Sequence, residues 1–296
     1  MRVRVPAPPL RDVYKRQSHK KAIALTCFVA FLWSLAGFNV KMIHWSAYAI
    51  AGGRSLIAVL LLSPLFLGRR MEINRYVMGG ALCYAAFNYC FITSTKLTTS
   101  AMAIMMQYTA PIYVALLSWV FLRERITRAD IASVCAVFGG MLLFFLDSSG
   151  GGSAVGNLVA VFNGISFAGI SIFLRLQKDG NPALSMYLGN AFSAFIGLPF
   201  MVREGLPDVL SLGFLLLAGV LMAVTYTLYA KASTGLSALE TVLLPIIDPI
   251  LNPVWVFLLL GEAPGALSLA GSAVVLVTVT ARVVYGLKAE QGGRQT

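Results

Sequence analysis

One carboxylate stands where lipid would ordinarily exclude it. Asp248 lies roughly eleven residues into an apolar run over 237–260, about 17 Å along a helix and so near mid-bilayer. An ion at that depth costs about 3 kcal/mol or more unless it is paired or hydrated. Pro245, Pro249 and Pro253 recur around it every four residues. Each removes a backbone donor and frees a carbonyl one turn back, and such broken helices are tolerated where they line a cavity. Asp248 therefore reads as a group for binding substrate or coupling protons. The competing structural role is a carboxylate capping a kinked helix or paired with Arg54.

Arg54 is the second such residue. It follows Gly52 and Gly53, about 12 Å from one end of its apolar run. A guanidinium there could hold a carboxylate bidentately, or satisfy carbonyls of a neighbouring helix at a close Gly-Gly contact. Glu240 precedes Asp248 by two helical turns, on roughly the same face; it reads as a coupling group or as a solvated vestibule residue. Trp33, Ser34, Asn39, Asn88, Tyr89, Gln107, Tyr108, Asn163, Asn190 and Tyr226 place amides and aromatic rings inside other apolar runs. Amides could bind a solute and rings could enclose its apolar part, although most such residues bridge helices. His19 and His44 fall outside the runs and read as solvated.

These residues need a scaffold, and composition names it. Of the 296 residues 58% are hydrophobic and 12% charged, and the mean hydropathy is +0.80. Soluble domains carry about 25% charge, so a soluble enzyme and a disordered chain are both excluded. Ten runs of about 20 apolar residues cover 21–40, 46–67, 76–95, 98–122, 127–146, 155–176, 183–202, 209–230, 237–260 and 266–285. They are continuously apolar, without the alternation of barrel strands. Residues 1–20 read as a disordered lead, in which RDVYKRQ resembles translated flanking DNA. Cys27, Cys83, Cys90 and Cys135 lie in apolar runs and form no zinc or disulfide pattern. No nucleotide, metalloprotease or hydrolase motif is present, so no cofactor or metal is expected. The net charge of +11 is read as cytoplasmic loop charge rather than as a nucleic-acid surface. With the N-terminus inside, 19 of the 23 Lys and Arg fall on inner segments, only Lys41, Lys96 and Arg203 fall outside, and Arg54 is in a span. Both termini are thus expected in the cytoplasm.

The chain also repeats itself. WSLAG at 33–37 aligns with ISFAG at 165–169, and residues 109–125 align with 247–263. In the second alignment Pro111 matches Pro249 and Glu124 matches Glu262, both at an offset of 138. A duplicated unit with an odd number of spans inserts upside down relative to its copy. The expected fold is an all-α polytopic membrane protein, with ten transmembrane helices as two inverted five-helix repeats. The repeats cover 21–146 and 155–286, joined by a Gly/Ser-rich linker at 147–154 and followed by a polar tail at 287–296.

At this point the sequence resembles the EamA family of the drug/metabolite transporter superfamily. The resemblance rests on five-plus-five spans, on FLRER at 121–125 and LLGEA at 259–263, on Asp248-Pro249, and on Arg54 in the second span. It covers about residues 21–285. It implies transport of a small polar solute, amino-acid-like or related, with export as the expected direction. It ranks Gln107, Tyr108 and Tyr226 highest, since their spans look like the family's cavity-lining helices.

The expected site is therefore Asp248, Arg54, Glu240, Gln107, Tyr108, Tyr226, Trp33 and Asn88. Partners are a small solute, the bilayer and, as an extension, protons through Asp248 or Glu240; a homodimer is left open. The expected location is the inner or plasma membrane. Two rival classes remain: an intramembrane enzyme using Asp248, Glu240 and His44, and a non-transporting receptor or structural protein.

Overall fold

The computed structural model describes residues 10–68, 71–122, 128–146, 153–177, 180–236, 238–261 and 265–292, and every regular element among them is helical. In order these are α1 (Leu10–Trp33), α2 (Ala36–Lys41), α3 (Ala47–Phe66), α4 (Arg75–Leu97), α5 (Ser100–Gln107), α6 (Ala110–Leu117), α7 (Arg128–Leu146), α8 (Ala154–Leu176), α9 (Pro182–Glu204), α10 (Val209–Ser233), α11 (Ala238–Leu243), α12 (Ile247–Leu260) and α13 (Ala266–Gly292). A π-helical turn at Ser118–Leu122 extends α6, and a 3-10 turn at Leu244–Ile246 joins α11 to α12.

Seven described helical stretches are long and apolar enough to cross a membrane: His19–Lys41, Ala47–Phe66, Arg75–Leu97, Met102–Phe121, Ala154–Leu176, Pro182–Glu204 and Val209–Ser233. The chain is thus an all-α, multi-pass membrane protein. The count falls short of the ten spans expected from sequence. The run over 237–260 is divided at Pro245, whose backbone (φ −69°, ψ 24°) leaves the helix. In α7 and α13 the apolar stretches among the described residues are Ile131–Gly140 and Leu269–Thr278. The lead also differs from expectation. Helix α1 starts at Leu10, because no glycine or proline interrupts the sequence between Pro9 and Trp33; residues 10–20 are helical. Glu124, Glu262 and the linker residues 147–152 lie outside the described residues.

Helix ends follow local chemistry. Ser46, Asn74, Thr99, Ser153 and Asp208 cap α3, α4, α5, α8 and α10 through side-chain oxygens on backbone N–H groups. Interior breaks fall at Ser34–Leu35, at Tyr108–Thr109 just before Pro111, and at Leu244–Ile246.

Packing buries small and polar residues together with rings and aliphatic side chains such as Tyr84, Phe167 and Ile170, and leaves many other large apolar residues outside. Leu60, Leu61, Phe195, Val202, Leu217 and Phe257 are exposed, a surface suited to acyl chains. Helix α4 packs on α8 and α9, α10 packs on α1 and α3, α3 crosses α9, and α7 crosses α13. The α3–α9 crossing is backbone on backbone. A Cβ added at Gly52 would lie 2.6 Å from Gly197 Cα, so neither position accepts a side chain. We expect Gly197→Val to destabilise the protein by about 1–3 kcal/mol. Gly213→Ala, where nothing lies within 4 Å, should be neutral or stabilising by up to about 1 kcal/mol through helix propensity. Thermal unfolding in detergent compares the two.

Candidate solute-binding site

The site begins with prolines. Pro245 has no N–H, so the carbonyl of Thr241, one turn earlier, loses its helical partner; the Tyr229 hydroxyl donates to it at 3.2 Å. Pro249 frees the carbonyl of Pro245 in the same way, and the Tyr108 hydroxyl donates to it at 2.6 Å. Buried carbonyls in lipid need such donors. Tyr108 comes from the other break, at the end of α5. Gly164 of α8 lets the chains approach there: a Cβ on it would sit 2.9 Å from the Met106 carbonyl oxygen.

The Tyr108 hydroxyl also reaches Asp248 Oδ2, at 3.2 Å. A hydroxyl has one proton, and the shorter contact to Pro245 claims it. Asp248 Oδ1 has no partner at all, and the residue is 3% exposed. Its carboxyl is therefore poorly satisfied by the protein. Arg54 is equally buried, at 5% exposure, but differently held. Its Nε donates to Asn88 Oδ1 at 2.9 Å and its Nη2 donates to the same oxygen. Asn88 Nδ2 donates onward to Ala51 O and Ser55 Oγ. The guanidinium also lies 5.7 Å from the Phe91 ring centre, within cation–π range. Among the described residues neither Arg54 nor Asp248 sits within ion-pair distance of an opposite charge.

Both nevertheless line one cavity. Its walls include Trp33, Asn39, Arg54, Phe87, Phe91, Gln107, Met222, Thr225, Tyr226 and Asp248. The first six come from α1 to α5, the last four from α10 and α12. Its volume is about 40 Å³, space for a few waters. Two of its lining residues, Trp33 and Tyr226, belong to a cluster of rings. Trp33 lies 5.0 Å from both Tyr226 and Tyr229 and 6.1 Å from Phe167, and its Nε1 donates to Thr225 Oγ1 at 3.0 Å.

Of the eight expected site residues, Asp248, Arg54, Gln107, Tyr226 and Trp33 line this cavity. Asn88 and Tyr108 stand behind it, holding Arg54 and touching Asp248. Glu240 does not join them. The 3-10 turn at Leu244–Ile246 breaks the helix between it and Asp248, so the shared face expected from uniform helical spacing is lost. Instead Glu240 Oε1 pairs with His19 Nε2 at 3.4 Å. His19, read from sequence as a solvated loop residue, sits on α1, with Nδ1 3.1 Å from the Gly235 carbonyl. His44 Nδ1 lies 3.5 Å from Asp208 Oδ2. The Ser211 hydroxyl and backbone N–H hold the Asp208 carboxyl down at about 2. The trio proposed for an intramembrane enzyme, Asp248, Glu240 and His44, is thus held by separate partners. Most other buried amides bridge helices, as Asn163 does to Gln107 and Asn190 to Tyr84. Phe87, Phe91, Met222 and Thr225 were not singled out by sequence, because apolar residues and a threonine in apolar runs give no signal there.

Known proteins share this architecture. Residues 20–146 match the EamA-like transporter family, so the resemblance read from the sequence stands on that half. An uncharacterized transporter of Bacillus subtilis, YwfM, is 26% identical over 262 residues, covering 84% of this chain and 88% of its own. The pseudopaline exporter CntI of Pseudomonas aeruginosa is 26% identical over 276 residues, covering 88% of this chain and 95% of its own. A solved crystal structure, 15% identical, superposes with a TM-score of 0.67 over 92% of this chain and 99% of that one; it supports the fold alone.

Two tyrosines carrying one hydroxyl each to a proline-freed carbonyl should behave alike. Tyr108→Phe and Tyr229→Phe are each expected to cost about 1–3 kcal/mol, the penalty of an unsatisfied buried acceptor. Asn88→Leu should cost at least as much, since it strips a buried guanidinium of its acceptor. Thermal unfolding of the purified variants measures all three.

Proposed function

We propose that this protein is a secondary transporter that moves a small polar metabolite, amino-acid-like or related, outward across the cytoplasmic membrane by alternating access. The observation that carries the reading is the cavity itself. It is built from both halves of the chain, and it holds a buried cation and a buried carboxyl that do not neutralise each other. Unpaired opposite charges in one desolvated pocket cost stability, and a solute bearing both charges would offset that cost. The transporter relatives support the general role.

The architecture we infer is ten spans in two inverted repeats, 21–146 and 155–286, with both termini cytoplasmic. Exchanging the halves maps the α4–α8 contact onto α10–α1 and α4–α9 onto α10–α3; it leaves α3–α9 and α7–α13 in place. The helix breaks also correspond. Tyr108–Thr109 plus the offset of 138 falls on Ile246–Ile247, at the 3-10 turn. Interrupted spans at matching positions in two halves mark substrate sites in such transporters.

Protons enter through Asp248. Tyr108 has only one hydrogen to share between Asp248 and the Pro245 carbonyl. A proton on the carboxyl would supply the missing donor, and a cationic group of the solute would compete for the same oxygen. Binding and protonation would then be mutually exclusive, which is how a carboxylate couples proton entry to solute release. The test is solute counterflow and pH-gradient-driven flux in proteoliposomes, screened over amino acids, organic acids and sugars. The expected result is flux accelerated by a pH gradient, gradient-insensitive residual flux in Asp248→Asn, and at least a tenfold loss in Arg54→Gln. Flux unchanged in both variants would sink the assignment of the site, and no flux of any solute would sink transport.

A further inference from the structure

The chain has six buried asparagines among its described residues: Asn39, Asn88, Asn157, Asn163, Asn190 and Asn252. Five are bonded to the protein. Asn88 donates to Ala51 O and Ser55 Oγ and accepts from Arg54. Asn157 accepts from Thr98, Asn163 donates to Gln107, Asn190 donates to Met186 O, and Asn252 donates to Ser34 O. Asn39 alone makes neither kind of bond: Nδ2 and Oδ1 are both buried without a partner. It is 2% exposed and lines the cavity shared by Arg54 and Asp248. A structural amide spends at least one of its polar groups on the protein, as each of the other five does, although Asn163 Oδ1 and Asn252 Oδ1 also lack a partner; among the described residues only Asn39 leaves both groups unspent. An unspent amide costs about 1–3 kcal/mol per orphaned group.

The local fold explains how it is presented. Asn39 sits on α2, the short segment after the break at Ser34–Leu35. Helix α12 clasps that break. Asn252 Nδ2 donates to Ser34 O at 2.8 Å, Trp255 Nε1 donates to Ser34 Oγ at 3.1 Å, and Gly37 lies against the Asn252 amide, where a Cβ would come within 2.6 Å of Oδ1. The helix that carries Asp248 therefore fixes the segment that carries Asn39.

We propose that Asn39 is a specificity-determining residue of the solute site, reading a group that accepts and donates side by side. An amide offers two donors through Nδ2 and two acceptor lone pairs through Oδ1. With Arg54 suited to a carboxylate and Asp248 to an ammonium, the matching solute is a zwitterion whose carboxylate and N–H-bearing ammonium are both required. The assignment rests on the transport reading and adds to it the group that rejects solutes lacking either charge. Sites built to hydrogen-bond a polar group discriminate strongly against analogues without it, because their own buried groups are left unpaired.

The test uses the full-length protein in detergent. Thermal shift is measured with each of the twenty common L-amino acids, and with the decarboxylated amine and deaminated acid of any that bind. The expected result is stabilisation by at least one amino acid and by neither of its truncated analogues. In Asn39→Leu, affinity for that amino acid should fall at least about tenfold, equivalent to about 1.4 kcal/mol. The unliganded Tm should stay level or rise, since no protein bond is lost. Asn39→Ser provides a second, smaller substitution with the same expectation. A lowered unliganded Tm in both variants would mark a structural amide and overturn the assignment. So would binding as tight in Asn39→Leu as in the native chain; Asp248-dependent flux would then leave transport standing. If no amino acid binds, the zwitterion class falls, while flux of the other solutes still decides transport on its own.

Discussion

A carbonyl freed by proline inside a membrane must find its donor within the protein, and much of this site follows from that requirement. Pro245 and Pro249 leave the carbonyls of Thr241 and Pro245 without helical partners, and Tyr229 and Tyr108 supply the hydroxyls. These bonds tie α11 and α12 to α10 and to the end of α5. They also settle the environment of Asp248. The nearest hydroxyl is already committed to a backbone oxygen, and the carboxyl is left with one contact of 3.2 Å and one bare oxygen. The broken helix thus does two things at once: it opens space beside Asp248, and it keeps the protein from satisfying that residue itself.

The two charges of the cavity are held by opposite strategies. Arg54 is firmly oriented by a neutral amide, which in turn is anchored to α3 through Ala51 and Ser55. A carboxylate in the place of Asn88 would have cancelled the charge; an amide fixes the fork and leaves the charge in force. Asp248 is held weakly and from one side. Under the proposed function, a rigid cation and an underserved carboxyl would orient one end of a solute and respond to the protonation of the other. Trp33 and Tyr226 line the pocket, and Phe167 and Tyr229 pack against Trp33.

Much of this was legible in the sequence, for reasons that differ by residue. Asp248 and Arg54 stood out because charge in an apolar run is costly wherever it points. Gln107, Trp33 and Tyr226, which line the cavity, are visible as polar or aromatic side chains in apolar runs, a signal they share with the amides that only bridge helices. Glu240 misled, because helical spacing was carried through Pro245 as though the helix were unbroken; the same prolines that flagged Asp248 should have forbidden it. Asn39 was visible as an amide in a span, but its distinction from Asn190 or Asn252 is an absence of bonds, which no single sequence displays. The fold class followed from composition. The 3-10 turn at Leu244–Ile246, which divides the run over 237–260, did not, since hydropathy averages over it.

The contact of Gly52 with Gly197 has a mechanical consequence. At this point α3 and α9, one from each half, meet backbone to backbone, while the stacked pairs Tyr48–Phe200 and Phe66–Tyr187 join them on either side. Knobs seated in holes must leave their rotamers before two helices can turn on each other, whereas bare backbones swivel without that friction. A fulcrum belongs where displacement is least and torque is shared equally, and under the proposed rocking the bare Gly52–Gly197 point, flanked by ring stacks, would be such a bearing. Any bulk added there would act as a brake on the proposed rocking as well as a wedge in the packing.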